Sequence, residues 1–320
     1  MSAPDETHVR PASTDVPAPA GSPASGAPAP AVEIRVAAQA GACYGVERAL
    51  RMVEQAVEEA SQQASGTLVR TLGPLIHNPK VVARLANSGV VAVASPDELP
   101  AGGVAVIRSH GVAPAVIKQV EARGCTVVDA TCPHVKKAHE GARLLTGEDY
   151  QVLIVGEAGH PEVEGILGNA GPDALVVDDA AQLRDVRLRP RVGIVVQTTQ
   201  SAALLSAVVS EVAPRVRELR VLNTICSATT RRQQSAAELA RQADVMVVIG
   251  GKNSGNTTRL AQVCAQACPK THHIESPKEL DAAWFSGARL IGVTAGASTP
   301  SDQIEALCAA LAQLPGAWRA

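Results

Sequence analysis

Three cysteines at nearly equal intervals, each set between a short β-branched run and a helical stretch, constrain this chain more than any other feature. Glu33-Ile-Arg-Val-Ala leads to Cys43, Cys125-Thr-Val-Val-Asp to Cys132, and Leu219-Arg-Val-Leu to Cys226. The intervals are 89 and 94 residues, about one small domain each. A period of this size with no matching sequence reads as a threefold repeat of architecture. Short apolar runs alternating with amphipathic stretches rich in Ala, Leu, Glu and Arg are the pattern of βα units on parallel sheets. Aliphatic strands buried on both faces suit a chain that is 46% hydrophobic yet has only two Trp, two Tyr and one Phe. The expected class is α/β, as three similar small parallel-sheet domains. Their expected limits are 32–124, 125–218 and 219–320, the last with a C-terminal helix. Residues 1–31 hold seven of the 21 prolines among Ala, Ser and Gly, and read as a disordered tail or a processed extension.

Six further strand-to-helix junctions carry polar side chains. They present His77-Asn78, Ser109-His110, His160-Pro-Glu162, Thr198-Thr199, Lys252-Asn253-Ser254-Gly255-Asn256 and Ser298-Thr299. In parallel sheets the carboxyl ends of strands face the ligand crevice, and the helix N-termini that follow favour anions. Three such units facing one another would bring three thiols and six polar loops to one cavity. A thiol at a helix start is biased toward thiolate, the form that ligates metal or attacks an electrophile. Three thiolates suit an iron-sulfur cluster with one iron left open, or zinc; three inert core cysteines are the plain alternative. His160 and Glu162 share a turn and can act as donor and proton source, and Thr198 and Thr199 can relay protons. His77, His110, Ser254, Asn256 and Ser298 are short polar groups of the kind that hold phosphate oxygens. The spacings of Gly251–Asn256 and Gly156–Gly165 fit neither a Walker A loop nor a dinucleotide fingerprint. Cys264 and Cys268, followed by His272 and His273, imitate a zinc set but read as packing in a helix that ends before Pro269. Cys125 and Cys308 read as core.

With 29 basic and 31 acidic side chains there is no global field for nucleic acid or an anionic membrane, and no apolar run approaches the roughly 20 residues of a membrane span. The first residues lack a secretory pattern, so the expectation is a soluble, cytoplasmic protein with no nucleic-acid or membrane partner. In a reducing compartment seven cysteines are not expected to form disulfides.

The segments Gly41-Ala-Cys43-Tyr-Gly-Val-Glu-Arg, Ile76-His77-Asn78-Pro79, Ser109-His110-Gly111-Val112, Asp129-Ala-Thr-Cys132-Pro133, Gly159-His160-Pro161-Glu162-Val-Glu-Gly165, Gln197-Thr198-Thr199, Ile225-Cys226-Ser-Ala-Thr-Thr230, Lys252-Asn253-Ser254 and Thr294-Ala-Gly-Ala-Ser298 occur in an order and spacing that resembles the 4-hydroxy-3-methylbut-2-enyl diphosphate reductases, from about Val32 to Leu314. The resemblance implies a pseudo-threefold trefoil around one 4Fe-4S cluster, held by Cys43, Cys132 and Cys226 with one open iron. It implies two-electron reductive dehydration of the allylic alcohol diphosphate to isopentenyl and dimethylallyl diphosphates, the last step of the methylerythritol phosphate route to isoprenoids. The electron donor would be external, of ferredoxin or flavodoxin type with its reductase. Glu162 would deliver protons with Thr198 and His160. The diphosphate would be held by His77, His110, His160, Thr198, Ser254, Gly255, Asn256 and Ser298. Three positions depart from the family pattern: Gly255 where a second serine is common, Ser227 in place of an aromatic, and Tyr44 after the first cysteine. Two alternatives remain at this point: a catalytically silent iron-sulfur redox sensor on the same fold, and a zinc-dependent phosphate-ester binder or hydrolase.

Overall fold

The computed structural model describes residues 32–62 and 66–314; the Ala/Pro-rich stretch read as a tail lies outside them. Among the described residues the chain forms twelve strands and nine α-helices. Strand β1 (Glu33–Val36) and helix α1 (Tyr44–Ser61) come first. A block of β2 (Val69–Leu72), α2 (Pro79–Asn87), β3 (Val91–Val93), β4 (Val104–Ile107), α3 (Pro114–Ala122) and β5 (Thr126–Asp129) follows. Helix α4 (Pro133–Gly147) leads to β6 (Gln151–Val155), α5 (Pro161–Leu167), β7 (Leu175–Val177), β8 (Arg191–Val196), α6 (Ala202–Val212) and β9 (Glu218–Leu222). Helix α7 (Ser227–Ala240) leads to β10 (Val245–Ile249), α8 (Gly255–Ala267), β11 (Thr271–Ile274), β12 (Leu290–Ala295) and α9 (Ser301–Gln313).

The strands make three four-stranded sheets, ordered β3-β2-β4-β5, β7-β6-β8-β9 and β11-β10-β12-β1, and every pairing is parallel. The three orders are the same once β1 is read as the fourth strand of the last sheet. The chain thus forms three equivalent α/β units and closes on itself, the pseudo-threefold trefoil the sequence led one to expect. The division of the chain needs one correction. Cuts before residues 32, 125 and 219 give β1, β5 and β9 to the unit that follows each of them. Their hydrogen bonds give them to another sheet: β5 pairs with β4, β9 with β8, and β1 with β12. The helix after each cysteine, by contrast, packs on the next sheet, α1 against Val69 and Val104, α4 against Val152 and Ile154, and α7 against Met246 and Val248. Each cysteine therefore marks the point where the chain crosses from one sheet to the next.

Both faces of each sheet are covered, and the period-two alternation of side chains assigns residues to the two cores. Val104 and Val106 enter one core while Ala105 and Ile107 enter the other; Val245, Val247 and Ile249 oppose Met246 and Val248 in the same way. This is why the strands read as continuous aliphatic runs. Among the described residues Phe285 is the only fully buried aromatic, in the third unit. Among the described residues no helix is long and apolar enough to cross a membrane.

Candidate functional site

The three cysteines occupy the same place in the three units. Each is the N-cap of its helix, with extended ψ values of 162°, 135° and 129° for Cys43, Cys132 and Cys226, and none uses its side chain as a cap. The backbone N–H of each donates to a loop carbonyl of another junction: Cys43 to Ala297 at 3.0 Å, Cys132 to Ser109 at 2.9 Å, and Cys226 to Thr198 at 3.0 Å. The loops that carry the polar residues thereby hold the cysteines, and all face one cavity.

All twelve residues singled out from the sequence line this cavity: Cys43, Cys132 and Cys226; Glu162, Thr198 and His160; His77 and His110; Ser254, Gly255 and Asn256; and Ser298. The thiols approach closely. A methyl group on Gly45, in the first turn of α1, would meet the Cys132 sulfur at 2.6 Å and the Cys43 sulfur at 3.8 Å, so only glycine fits there. The expectation of a uniform bias toward thiolate needs correcting at Cys132. Burial raises its pKa, and the backbone amides of His134 and Val135 offset this only in part, because desolvation of a charge outweighs two amide dipoles.

Glu162 is 2% exposed in the first turn of α5. Its Oε1 accepts the Thr198 backbone N–H at 2.6 Å and its Oε2 the Thr198 hydroxyl at 2.9 Å. Burial lifts its pKa to about 7 against the opposing pull of the two Thr198 hydrogen bonds, with the Glu157 charge adding to the rise. The carboxyl is therefore poised to hold a proton near neutrality with no ligand bound. When it is protonated, its own O–H can donate to the Thr198 hydroxyl oxygen, which frees the threonine hydrogen for another acceptor.

Three imidazoles cluster, His77 and His110 tilted at a centroid distance of 4.3 Å and His160 set edge-on to both, at 5.3 Å from His77 and 5.6 Å from His110. Burial first, and then the Arg108 guanidinium and one another's charge, hold their pKa values down, that of His160 to about 4. All three are neutral at pH 7. His160 Nδ1 accepts the Glu162 N–H at 3.1 Å, which leaves its proton on Nε2. His77 Nε2, His110 Nδ1 and Asn256 Nδ2 are buried without a partner. Unpaired buried polar atoms gathered on one cavity wall mark where a ligand supplies the missing bonds. Ser254 caps α8 through the Thr257 N–H at 3.4 Å, placing a helix N-terminus at the cavity. Ser298 offers less than expected, since its hydroxyl donates to the His77 carbonyl at 3.0 Å and so presents lone pairs to the cavity. At Gly255 a side chain would meet the Glu157 carboxylate at 3.0 Å, so the carboxylate occupies the room a serine would need.

Sequence reasoning missed Thr229, Arg232 and His134, which also line the cavity. Thr229 and Arg232 lie three and six residues beyond Cys226 on α7, a helical spacing that could have revealed them. The other cysteines stay apart from the cavity. Cys125, Cys264 and Cys268 are buried in cores, but Cys308, read as core, is only half-buried. His272 stacks on Trp284 and His273 bonds the Gly250 carbonyl at 3.0 Å, which leaves no zinc set with Cys264 and Cys268.

The sequence model of the LytB protein family matches residues 34–312. A 4-hydroxy-3-methylbut-2-enyl diphosphate reductase of Pelobacter propionicus is 48% identical over 269 residues, 84% of this chain and 94% of that protein. One from Aquifex aeolicus is 44% identical over 277 residues, 86% of this chain and 94% of that protein. A solved structure of (E)-4-hydroxy-3-methyl-but-2-enyl diphosphate reductase, described as the terminal enzyme of the non-mevalonate pathway, is 42% identical. It covers 89% of this chain and all of that one, with a TM-score of 0.63. The corresponding reductase structure from Plasmodium falciparum has a TM-score of 0.82 at 22% identity, covering 90% of this chain and 91% of that one, and so shares the fold. The chain belongs to the LytB family.

Proposed function

We propose that the cavity carries out the reaction named for these relatives: reduction of 4-hydroxy-3-methylbut-2-enyl diphosphate, with loss of its hydroxyl as water, to isopentenyl and dimethylallyl diphosphates. Two electrons and two protons enter per turnover, and one C–O bond breaks. The observation that carries this reading is the Glu162–Thr198 pair. A carboxyl buried beside three thiols, with its pKa lifted to about 7 and both oxygens bonded to one threonine, is a proton source. Neither a redox sensor nor a thiolate zinc site requires it.

The donor set fits an iron-sulfur cluster. Three thiols meet at the cavity, Gly45 keeps the space between two of them clear, and a buried guanidinium, Arg232, faces the same space. Among the described residues no three His, Cys, Asp or Glu side chains stand close enough to share one ion, so it is the chemistry of three thiols on one cavity, and not a preformed ligand geometry, that supports the cluster. Cys43, Cys132 and Cys226 would hold a 4Fe-4S cluster, leaving one iron without a cysteine. Such a cluster supplies electrons one at a time and one open coordination position. The donor of those electrons would be a ferredoxin or flavodoxin with its reductase, in the cytoplasm.

The chain's own residues do the rest. His77 and His110, through their unpaired nitrogens, His160 through its Nε2–H and Asn256 through its amide would bind diphosphate oxygens. The α8 N-terminus at Ser254 and Gly255 would add its amides and dipole. Neutral imidazoles donate without needing a charge, and a bound diphosphate would draw protons onto them. Ser298 would hold the His77 loop in register rather than donate. Glu162 would pass its proton by way of the Thr198 hydroxyl, and the negative diphosphate would keep the carboxyl protonated.

Glu162→Gln tests the reading. With reduced protein and the hydroxylated diphosphate, turnover should fall by a factor of about 100 or more while the visible absorbance of the cluster is retained. Normal turnover in this variant would refute the proton-donor role.

A further inference from the structure

The buried cation in the cavity has no carboxylate. Arg232, six residues after Cys226 on α7, is 5% exposed. Its Nη2 donates to the Gly41 carbonyl at 2.7 Å and its Nη1 reaches the Ala228 carbonyl at 3.5 Å. Its Nε–H is buried with no partner. Gly41 belongs to the loop that carries Cys43, so this one side chain ties the first cysteine's loop to the third cysteine's helix. Among the described residues no carboxylate lies within ion-pair distance of it. Burial disfavours its charge, and it lines the same cavity as the thiols of Cys43 and Cys226. A guanidinium keeps its charge in such a site, and burying it is costly unless negative charge faces it. Satisfying the Gly41 carbonyl needs only a neutral donor. The fixed charge and the free Nε–H are left over, and both are explained by an anion held on the thiols.

We infer that Arg232 is a positioning residue whose fixed charge raises the reduction potential of the cluster held by Cys43, Cys132 and Cys226. This rests on the cluster reading given above. Adding an electron makes the thiolate-bound group one unit more negative, and a nearby cation inside a low-dielectric cavity favours that state. The electron donor then meets a cluster that is easier to reduce than three buried thiolates alone would make it.

The test is a reductive titration of the anaerobically reconstituted full chain, with mediator dyes, followed by electron paramagnetic resonance and visible absorbance. Iron and sulfide are measured on the same samples. Arg232→Lys, which keeps the charge, should be within about threefold of the native reduction equilibrium. Arg232→Gln and Arg232→Met should be harder to reduce by about tenfold or more, which is 59 mV for a one-electron couple. Either neutral variant holding a full cluster at the native potential would overturn the inference. If the neutral variants lose iron and the lysine variant keeps it, the charge holds the cluster in place rather than setting its potential, and the inference fails. If the lysine variant also loses iron, the fork on Gly41 matters rather than the charge, and the inference fails. A native chain that binds no iron and sulfide would instead overturn the functional reading on which it rests.

Discussion

The chemistry of Glu162 comes from its surroundings. Glutamate after His-Pro could be read from the sequence as a proton source, but the pKa lifted to about 7 comes from burial that only the fold creates, against the pull of the two Thr198 hydrogen bonds. Its folded pKa lies above the ordinary value of 4.5, so the folded state binds the proton more tightly than the unfolded one. That contribution to stability is complete below pH 4.5 and is lost as pH rises through about 7. Replacing Glu162 by Gln should therefore stabilise the protein at pH 8 by about 1–3 kcal/mol and have little effect at pH 4.5, as chemical denaturation at the two pH values would measure. In the native enzyme, turnover at saturating substrate should decline on the alkaline side as Glu162 loses its proton. Gly255 makes a second prediction. The obstacle to a serine there is the free end of the Glu157 side chain, which can swing away. Gly255→Ser should fold with little change in Tm and bind pyrophosphate several-fold more tightly in calorimetry, since a donor is gained and a carboxylate displaced. A weaker affinity would mean that Glu157 holds its position. Arg232 escaped notice because an arginine in a helix reads as a solvated charge until packing buries it.

The elements owe their register at the site to backbone hydrogen bonds that no sequence pattern displays. Cysteine at the N-cap is legible, because each strand run stops a few residues before it and a helical stretch begins at once. That each cysteine N–H is held by a carbonyl of a neighbouring junction is not, since the partners lie far along the chain or in the opposite terminal segment. The same blindness misplaced the unit boundaries. Val127 and Val128 announce a strand, but which sheet edge it joins is decided by the length and direction of the crossover rather than by its own residues. Asn78 shows how far an element's end can reach. It caps α2 through the Lys80 and Val81 N–H groups, and its amide donates to the Ser298 carbonyl at 2.9 Å. Asn78→Ala should cost about 2 kcal/mol in denaturant unfolding and raise KM for the diphosphate more than it lowers kcat, because one of the two bonds that tie the His77 and Ser298 loops together is lost. Gly45→Ala should leave the secondary structure seen by circular dichroism unchanged yet reduce iron content by more than about half, since its methyl would overlap the Cys132 sulfur.

At the scale of the whole molecule, three small sheets surround one cavity, and the third is finished by β1, the first strand among the described residues. Removing residues 32–36 should therefore do far more harm than their number suggests. β12 would lose its parallel partner along Leu290–Val293 and become an open edge, with aggregation or a lower Tm as the outcome. The threefold spacing of the cysteines announced this architecture because each crossing between sheets repeats the same strand, cap and helix. The circular closure through β1 leaves no such trace, since pairing between the two ends of a chain has no local signature. Seven cysteines divide accordingly into three that line the cavity and four that do not. The proposed iron-sulfur cluster requires all three together. Its most direct test is the iron and acid-labile sulfide content of anaerobically purified Cys43→Ser, Cys132→Ser, Cys226→Ser and Cys264→Ser. Each of the first three should lose most of both elements, while Cys264→Ser keeps the native amount. Full iron and sulfide in any of the first three, or stoichiometric zinc without sulfide in the native chain, would contradict it.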